Sequence, residues 1–335
     1  MVLLLSAEDV AGLVSLSDAV EIMDAVAREE AAGTTIHMAP FGGAHARPRG
    51  LPPAGRGGPG ARSGGVLRAV GGGAFGLGRI GIRAGGVSLV FDTEDHGLLA
   101  ILGSGFSNLR LAASVALAAR CLARPAARSV GLLGSGRLAL PLLEGLIAAR
   151  PIGEVAVFSP TRERREAFAR RATAALGIPV TAAESTEGAT RAADIVALAT
   201  SSTTPAVTAD QLSSSAHVVS VGEPHELDRS IYLGAQKVVA SSRHLALAAI
   251  DPSGQHAAER RGLDTAPLWK LFEAGRLAKE DVIELGEVLA HPDTETDGSG
   301  VTVFLEAQGG AGDIALANLA YQRAKALGRG VEFQF

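Results

Sequence analysis

The chain has 335 residues, of which 47% are apolar and 20% are charged, so it can bury a real core and is not disordered throughout. Its 31 basic and 35 acidic side chains leave a net charge of −4, which argues against a whole-chain binder of nucleic acid or anionic membranes. The single cysteine, Cys121, excludes an intrachain disulfide and a cysteine-based zinc site, and no apolar run reaches the roughly 18 residues of a membrane span. We therefore expect a soluble, cytoplasmic protein that has no metal, membrane or nucleic-acid partner.

The N-terminal third predicts a mixed region of helices and strands. Residues 3–33 predict a short strand and two helices, and residues 80–91 and 98–102 predict a β-hairpin. The Gly/Pro-rich residues 44–64 carry arginines and no acidic residue. This segment is predicted either as a solvated loop or as a mobile loop whose arginines cover an anionic ligand.

From residue 107 onward, the pattern alternates between helix and strand. The alanine-rich residues 107–123 predict a helix that ends before Pro125. Short strands joined by helices follow, with strands predicted at 130–133, before 158, and at 179–181, 194–199, 217–221 and 237–240. Such closely spaced βα units are typical of a doubly wound parallel sheet, so the predicted fold class is α/β.

The strongest functional signal is a glycine-rich turn between the first of these strands and its helix. Gly134, Gly136 and Ala139 form a G-x-G-x-x-A pattern that follows the strand 130–133 and opens the helix 138–149. The glycines let the backbone turn tightly and approach a pyrophosphate, and the helix N-terminus offers N–H groups. We therefore predict a dinucleotide site whose turn comprises Gly134, Ser135, Gly136, Arg137 and Leu138.

The end of the second strand indicates which dinucleotide binds. NAD sites usually carry an Asp or Glu there to bind the ribose hydroxyls, whereas this chain has Ser159, Thr161 and Arg162. Hydroxyl and guanidinium groups suit a phosphate on the ribose, so the sequence favours NADP(H), with NAD(H) still possible. The alternative is that Arg162 only belongs to the solvated first turn of a helix.

Two further strand ends should meet the same edge of the sheet. Ligands of open α/β sheets bind in the crevice at the carboxyl ends of the strands. We expect the cofactor to contact those ends at Ala199, Thr200, Ser201, Val221 and Gly222, with Thr200 and Gly222 near its nicotinamide half.

Several of these segments together resemble the ornithine cyclodeaminase/mu-crystallin family. The resemblance lies in RSVGLLGSGRLA (128–139), RPIGEVAVFSPTRERREAFA (150–169), AADIVALATSSTTPAV (192–207) and HVVSVG (217–222), and extends to SNLRLAASVALAARCLARP (107–125) and VTVFLEAQGGAGDIALANLAYQRAKALG (301–328). It implies a homodimer whose Rossmann-type domain, residues 126–302, is inserted into a smaller α+β substrate and dimerisation domain formed by residues 1–125 and 303–335. It also implies NAD(P)-linked chemistry on a small imino or amino acid.

The resemblance further implies which side chains hold the substrate. Arg110 matches the family arginine that binds the substrate carboxylate, and an arginine in the first turn of a helix also needs an anion beside it. Arg83 stands where the family has a lysine, so a planar fork replaces a point charge. The family's N-terminal arginine has no clear match, and Arg47 or Arg49 could replace it.

Two departures from the family pattern concern the chemistry. Cyclodeaminases have an aspartate soon after the glycine of the strand end, whereas here Gly222 is followed by Glu223, with His225 as the rival acid or base. The C-terminal family lysine is also gone, since the sequence there reads Phe304-Leu305-Glu306. Both changes disfavour ornithine cyclodeamination, which needs a base for the amine and a proton route for the loss of ammonia.

Three functions remain open from the sequence. The leading hypothesis is an NADPH-dependent reductase of a small cyclic α-imino acid, in which Arg110 and Arg83 hold the carboxylate and Glu223, His225 or water supplies a proton. The runner-up is an NAD-dependent ornithine- or lysine-type cyclodeaminase or an amino-acid dehydrogenase. The third is a protein that binds NADP(H) without catalysis.

Overall fold

The structure is a computed structural model that describes residues 1–41, 69–74, 78–84, 86–103, 105–254, 264–291, 299–307 and 309–334. The side chains at 36–41, 69–72, 74 and 84 are outside this description. The predicted loop 44–64, with Arg47 and Arg49, also lies outside the described residues.

The described strands and helices are numbered in chain order. The strands are β1 (Val2–Leu5), β2 (Thr35–Phe41), β3 (Ala69–Ala74), β4 (Arg79–Ala84), β5 (Val87–Asp92), β6 (Leu98–Leu102), β7 (Ser129–Leu133), β8 (Glu154–Phe158), β9 (Val180–Ala182), β10 (Ile195–Leu198), β11 (His217–Ser220), β12 (Ala235–Ala240), β13 (Val282–Glu284), β14 (Val301–Leu305) and β15 (Val331–Phe333). The helices are α1 (Ala7–Val10), α2 (Leu16–Ala31), α3 (Ser107–Leu122), α4 (Ala139–Ala149), α5 (Arg162–Leu176), α6 (Thr186–Thr190), α7 (Arg229–Gly234), α8 (Arg243–Ile250), α9 (Pro267–Glu273), α10 (Leu285–Ala290) and α11 (Gly310–Ala326). None of the helices in these ranges has both the length and the apolar character needed to cross a bilayer.

One compact unit comprises Met1–Val14, Thr35–Phe106 and Gly310–Phe335. Its described strands form a sheet in the order β15-β1-β6-β5-β4-β3-β2, in which β1 and β6 are parallel and the other neighbours antiparallel. The predicted hairpin is present, but the predicted strand 80–91 divides into the paired strands β4 and β5, because two glycines follow Ala84 in the sequence. Helix α11 packs on β3 and β4, and Gly81 permits this approach, since a Cβ there would lie 2.7 Å from Ile314 Cδ1.

The second compact unit comprises Ser15–Thr34 and Ser107–Gly309. Its described strands form a wholly parallel sheet in the order β13-β12-β14-β11-β10-β7-β8-β9. This sheet confirms the predicted Rossmann-type α/β class. The chain leaves β7 towards β8 and later returns to β10 on its other side, so a topological switch point lies between β7 and β10. Ligands of such sheets bind at that point, beyond the carboxyl ends of the strands.

Buried helices and strands form the core of the second unit. The four residues of β10 are all apolar and buried, as expected of a central parallel strand. Helix α3 is buried along most of its length and packs closely on α4, because Gly145 has no Cβ to meet the Ala112 carbonyl oxygen, which would lie 2.3 Å away. This close packing on α4 holds α3, including its first turn, in a fixed position.

The bounds of the compact units differ from the predicted domain bounds. Strand β14 pairs with β11 and β12, so the predicted boundary after residue 302 falls inside a strand of the parallel sheet. Helix α3 packs on α4, and α2 packs on α3 and α10, so both helices belong to the second unit although they precede residue 126. The assignment of substrate binding and dimerisation to one domain stays a prediction.

Candidate cofactor and substrate site

The glycine turn lies directly against the end of β10. Gly134 has a φ of 106°, a left-handed conformation that favours glycine, and a Cβ there would lie 2.4 Å from the Ala199 carbonyl oxygen. Its N–H donates to the Phe158 carbonyl at 2.9 Å, which joins the turn to the end of β8. The predicted turn therefore meets two neighbouring strand ends.

The outer side of the turn has room for a ligand. A Cβ added at Gly136 would meet no atom within 4 Å, and Leu138, the N-cap residue of α4, has no polar side chain with which to cap the first-turn N–H groups. The Ser135 hydroxyl lies 2.9 Å from the Ser159 hydroxyl, and Arg137 donates to Asn108 Oδ1 at 3.2 Å. Open space beside first-turn N–H groups fits the diphosphate of a dinucleotide.

The end of β8 presents hydroxyl and guanidinium groups. Thr161 is the N-cap of α5 and makes no side-chain capping hydrogen bond. Arg162 donates to Glu166 at 2.7 Å, and this hydrogen bond lowers the pKa of the exposed Glu166 carboxyl. The Arg162 side chain is 68% exposed. Arg165, in contrast, is buried and donates to the Ser159 carbonyl at 3.2 Å, so Arg162 is the better placed of the two for an incoming phosphate.

Sequence reasoning missed a buried carboxylate behind the strand ends of β10 and β11. Glu226 accepts hydrogen bonds from the Thr200 N–H at 3.2 Å and the Thr200 hydroxyl at 2.8 Å on one oxygen. Its other oxygen accepts from the Ser220 hydroxyl at 2.7 Å and the Gly222 N–H at 3.0 Å. Glu226 therefore connects Thr200 and Gly222, which were predicted to lie beside the nicotinamide. The signal was a glutamate three residues after Glu223, in a segment that otherwise carries the family pattern.

The surroundings of Glu226 hold its carboxylate in a fixed position as a hydrogen-bond acceptor. Burial raises the pKa of its carboxyl, while the four hydrogen bonds oppose that rise. The segment around it is tightly packed, since a Cβ at Gly222 would lie 2.4 Å from the Thr200 carbonyl oxygen. The Thr200 hydroxyl also accepts a hydrogen bond from the Ser202 N–H at 3.1 Å, so this hydroxyl is bonded to groups of the protein itself. Of the other predicted residues here, Val221 is buried, Ala199 is partly buried and Ser201 is exposed.

The two candidate acids after Gly222 have opposite environments. Glu223 is exposed. His225 is buried, and its Nε2 lies 2.7 Å from the Asp264 carbonyl oxygen. A proton donor must reach a bound substrate, so this geometry favours Glu223 and gives His225 the place of a structural link between two segments.

Arg110 lies buried in the first turn of α3, where an anion was expected, and the structure places an internal anion beside it. Its guanidinium forms an ion pair with Glu306, which directly follows β14. The Ser114 hydroxyl donates to the other carboxylate oxygen of Glu306. The Glu306 N–H donates to the Ser220 carbonyl at 3.0 Å, so this carboxylate stands at the carboxyl edge of the sheet.

Arg83 belongs to the first unit and is also paired with an acid. Its Nε donates to Asp313 Oδ2 at 2.9 Å, and its side chain is 20% exposed. On the same face of β4, Arg79 donates to Asp92 at 2.8 Å and to Asn318 at 3.0 Å. These contacts anchor both arginines to their neighbours in the fold. Within the described ranges, no three His, Cys, Asp or Glu side chains are grouped as metal ligands.

Comparison with known proteins gives the chain a family. The model of the ornithine cyclodeaminase/mu-crystallin family matches residues 85–328. A curated Delta(1)-pyrroline-2-carboxylate reductase of Bacillus cereus is 29% identical over 257 residues, which cover 75% of this chain and 74% of that protein.

Solved structures share the whole fold. The Delta(1)-pyrroline-2-carboxylate reductase of Thermococcus litoralis, in complex with NADH and L-proline, matches with a TM-score of 0.78 and 20% identity over 99% of this chain and 100% of that one. The iminosuccinate reductase of Paracoccus denitrificans, in complex with NAD+, matches with a TM-score of 0.81 and 21% identity over 100% of this chain and 99% of that one. At these identities the likeness concerns the fold.

Proposed function

We propose, from the premise that this chain belongs to the ornithine cyclodeaminase/mu-crystallin family, that it is an NADPH-dependent reductase of a small cyclic α-imino acid. The proposal rests on three features that occur in one unit, at the carboxyl edge of the parallel sheet. They are the open glycine turn, the ends of β10 and β11 that Glu226 connects by hydrogen bonds, and the buried Arg110. The similarity to a curated Delta(1)-pyrroline-2-carboxylate reductase over three quarters of both chains supports the choice of substrate.

A nicotinamide cofactor is supported by the turn and by the NADH and NAD+ complexes of the structural neighbours. The preference for NADP(H) rests on this chain's own residues. Ser159 and Thr161 stand where an NAD site usually has a carboxylate, and the exposed Arg162 can pair with a ribose phosphate. NAD(H) binding is the alternative outcome of the titration described below.

The reaction needs a hydride donor, a substrate that is fixed in the right orientation, and a proton donor. The reduced nicotinamide, when bound, supplies the hydride that adds to the C=N carbon. Arg110 orients the substrate carboxylate, which fixes the imine for that transfer. Glu223 donates the proton that the imine nitrogen requires. The contact of Arg83 with the same carboxylate, implied by the family resemblance, stays a prediction.

The first experiment mixes the purified chain with NADPH and a cyclic imino acid, either a pyrroline- or a piperideine-2-carboxylate, and follows the absorbance of the reduced nicotinamide. Consumption that depends on the imine supports the proposal. An increase in absorbance with ornithine or another amino acid and NAD(P)+ would instead indicate the cyclodeaminase or dehydrogenase direction. NADPH binding without turnover across an imine panel would indicate a binding protein.

The oligomeric state is part of the proposal. The family resemblance implies a homodimer, and light scattering of the purified chain measures its mass in solution. A mass of one chain would contradict this part of the proposal and leave the reductase activity to be judged by its own assay.

A further inference from the structure

Arg165 is a buried arginine directly behind the strand end that is proposed to bind the ribose phosphate. Its side chain is 7% exposed, and its guanidinium donates to the Ser159 carbonyl at 3.2 Å and to Glu184 at 2.8 Å. The guanidinium also lies over the Phe158 ring, 5.6 Å from the ring centroid, at a distance that allows a cation–π interaction. These contacts tie helix α5 to the end of β8 and to Glu184, which shortly follows β9.

The contacts of Arg165 hold the segment from Ser159 to Thr161 at both ends. The Arg165 N–H donates to the Thr161 carbonyl at 3.1 Å, while the side chain donates to the Ser159 carbonyl. The Ser159 hydroxyl lies 2.9 Å from the Ser135 hydroxyl, which joins the same segment to the glycine turn. The position of the polar groups at the end of β8 therefore depends on Arg165 as well as on the glycine turn.

A structural link alone does not account for a charged side chain at this place. The Nε–H of Arg165 is buried and has no hydrogen-bond partner in the described part of the chain, a state that costs stability. The guanidinium has also lost hydration, and an apolar side chain of similar length would fill the same space without either cost. What an apolar side chain would not supply is a positive charge behind the strand end.

The charge of Arg165 acts through the protein interior, whereas its acidic partner faces solvent. The Glu184 side chain is 77% exposed, so water and salt screen its negative charge more than the charge of the buried guanidinium. The field of Arg165 reaches the surface: a hydrogen bond from Arg162 is the main cause of the lowered pKa of the exposed Glu166 carboxyl, and the charge of Arg165 contributes to it. A phosphate at the end of β8 would be attracted by this charge, whereas a neutral ribose hydroxyl would gain little.

We propose that Arg165 is a specificity-determining residue for NADPH, which fixes the Ser159 peptide and adds positive charge to the ribose-phosphate subsite of Ser159, Thr161 and Arg162. It acts from behind the strand end and does not touch the phosphate, because its guanidinium is buried. The inference rests on the proposed function for the preference of NADPH over NADH, and it does not depend on the reaction that follows binding.

The direct test is Arg165→Met, which keeps an unbranched side chain in the buried space and removes the charge and the donors. We expect the dissociation constant of NADPH to rise about tenfold and that of NADH to change less than about twofold, measured by fluorescence titration. The matched control is Arg171→Met, which removes an exposed arginine of the same helix that also lies over a ring, that of Phe168 at 5.4 Å. The control should leave both dissociation constants unchanged.

Two further variants keep the proposal testable if Arg165→Met does not fold. Arg165→Lys keeps the charge and a donor group, and should hold the preference for NADPH over NADH within about threefold of the wild type. Glu184→Gln removes the exposed negative charge beside Arg165 and keeps an acceptor for it. The affinity for NADPH should then rise about twofold, while that for NADH stays the same.

A second readout uses fragments of the cofactor and needs no turnover. Adenosine 2′,5′-bisphosphate carries the ribose phosphate and 5′-AMP lacks it, so the difference between the melting temperatures that they give reports on the ribose-phosphate subsite. We expect a difference of about 2–4 °C in the wild type and in Arg171→Met, and about half of it or less in Arg165→Met. An undiminished difference in Arg165→Met would contradict the proposal.

The outcomes separate this inference from the proposed function. A wild-type chain that prefers NADH overturns the inference together with the proposed cofactor preference, while imine reduction is judged by its own assay. A folded Arg165→Met variant that keeps the wild-type preference overturns only the role of Arg165, as does an Arg165→Lys variant that loses it or a Glu184→Gln variant with unchanged affinities. A chain that reduces no imine, but loses its preference for NADPH in Arg165→Met, supports the inference and overturns the proposed reaction.

Discussion

Glu226 and Thr200 are joined by two hydrogen bonds, from the threonine N–H at 3.2 Å and from its hydroxyl at 2.8 Å. Each carboxylate oxygen of Glu226 also serves one backbone N–H, that of Thr200 or that of Gly222. A backbone N–H cannot reverse its role, so both oxygens must be acceptors at that position. Glu226 is therefore a positioning residue for the two strand ends that face the proposed nicotinamide site.

Glu226→Gln tests this positioning role. The amide would turn an NH2 group towards one of the two backbone N–H groups, which should lower the free energy of unfolding by about 1–3 kcal/mol. We also expect the dissociation constant of NADPH to rise about tenfold, because the ends of β10 and β11 shift. Urea denaturation and a fluorescence titration measure the two effects. A stable variant with wild-type NADPH affinity would show that the hydrogen bonds of Glu226 do not position the cofactor.

Acid should weaken the fold through His217. Burial, together with a smaller contribution from charge repulsion by Arg150, lowers the pKa of His217 from its ordinary value of 6.5 to about 3. The unfolded chain takes up the proton first, so the free energy of unfolding falls as pH drops below 6.5, by about 1.4 kcal/mol per pH unit until about pH 3.

His217→Asn isolates this effect from the other titrating groups. Thr302 donates to the Leu122 carbonyl at 3.1 Å, so His217 Nδ1, at 2.8 Å from the Thr302 oxygen, is the donor of that pair. Asparagine offers a donor at a similar place and does not titrate. Urea denaturation at several pH values should show a loss of stability between pH 6 and 4 that is about 2–3 kcal/mol smaller in the variant than in the wild type. Parallel pH curves for the two proteins would contradict the assignment.

Arg162→Ala tests the cofactor preference. Arg162 makes one exposed ion pair, with Glu166 at 2.7 Å, and exposed pairs add about 0–1 kcal/mol, so the fold should hold. The dissociation constant of NADPH should rise about tenfold through the loss of a phosphate contact, while that of NADH changes little. Arg191→Ala, at another exposed pair, is the control. Equal losses for the two cofactors would rule out the phosphate contact.

Glu223→Gln tests the proton donor. The exposed side chain can be changed without loss of packing, and we expect kcat of imine reduction to fall about 10²-fold with KM and NADPH affinity nearly unchanged. An unaltered kcat would assign the proton to water.

The parallel sheet and the glycine turn were predictable because their signals are local. An apolar strand, two glycines and a helix follow one another within 129–149, and the structure contains each of them. The end of α3 was equally readable, since Pro125 stops that helix.

The partners of the arginines were not predictable, because they are remote in the chain. Arg110 and Glu306 are 196 residues apart, and Arg83 and Asp313 are 230 apart. The need of Arg110 for an anion follows from its place in a helix start, but the choice between a ligand and an internal carboxylate depends on the pairing of β14 with β11. That pairing also includes residues beyond 302 in the second compact unit, which extends to Gly309, while the predicted division into functional domains stays a prediction.

The most direct test of the account is the stoichiometry of one reaction, in which the chain, NADPH and Delta(1)-pyrroline-2-carboxylate are mixed and both NADPH and proline are measured. We predict that one proline forms for each NADPH consumed, and that omission of the imine stops both changes. NADPH that stays intact beside the imine, or is consumed without forming proline, would contradict imine reduction at this site.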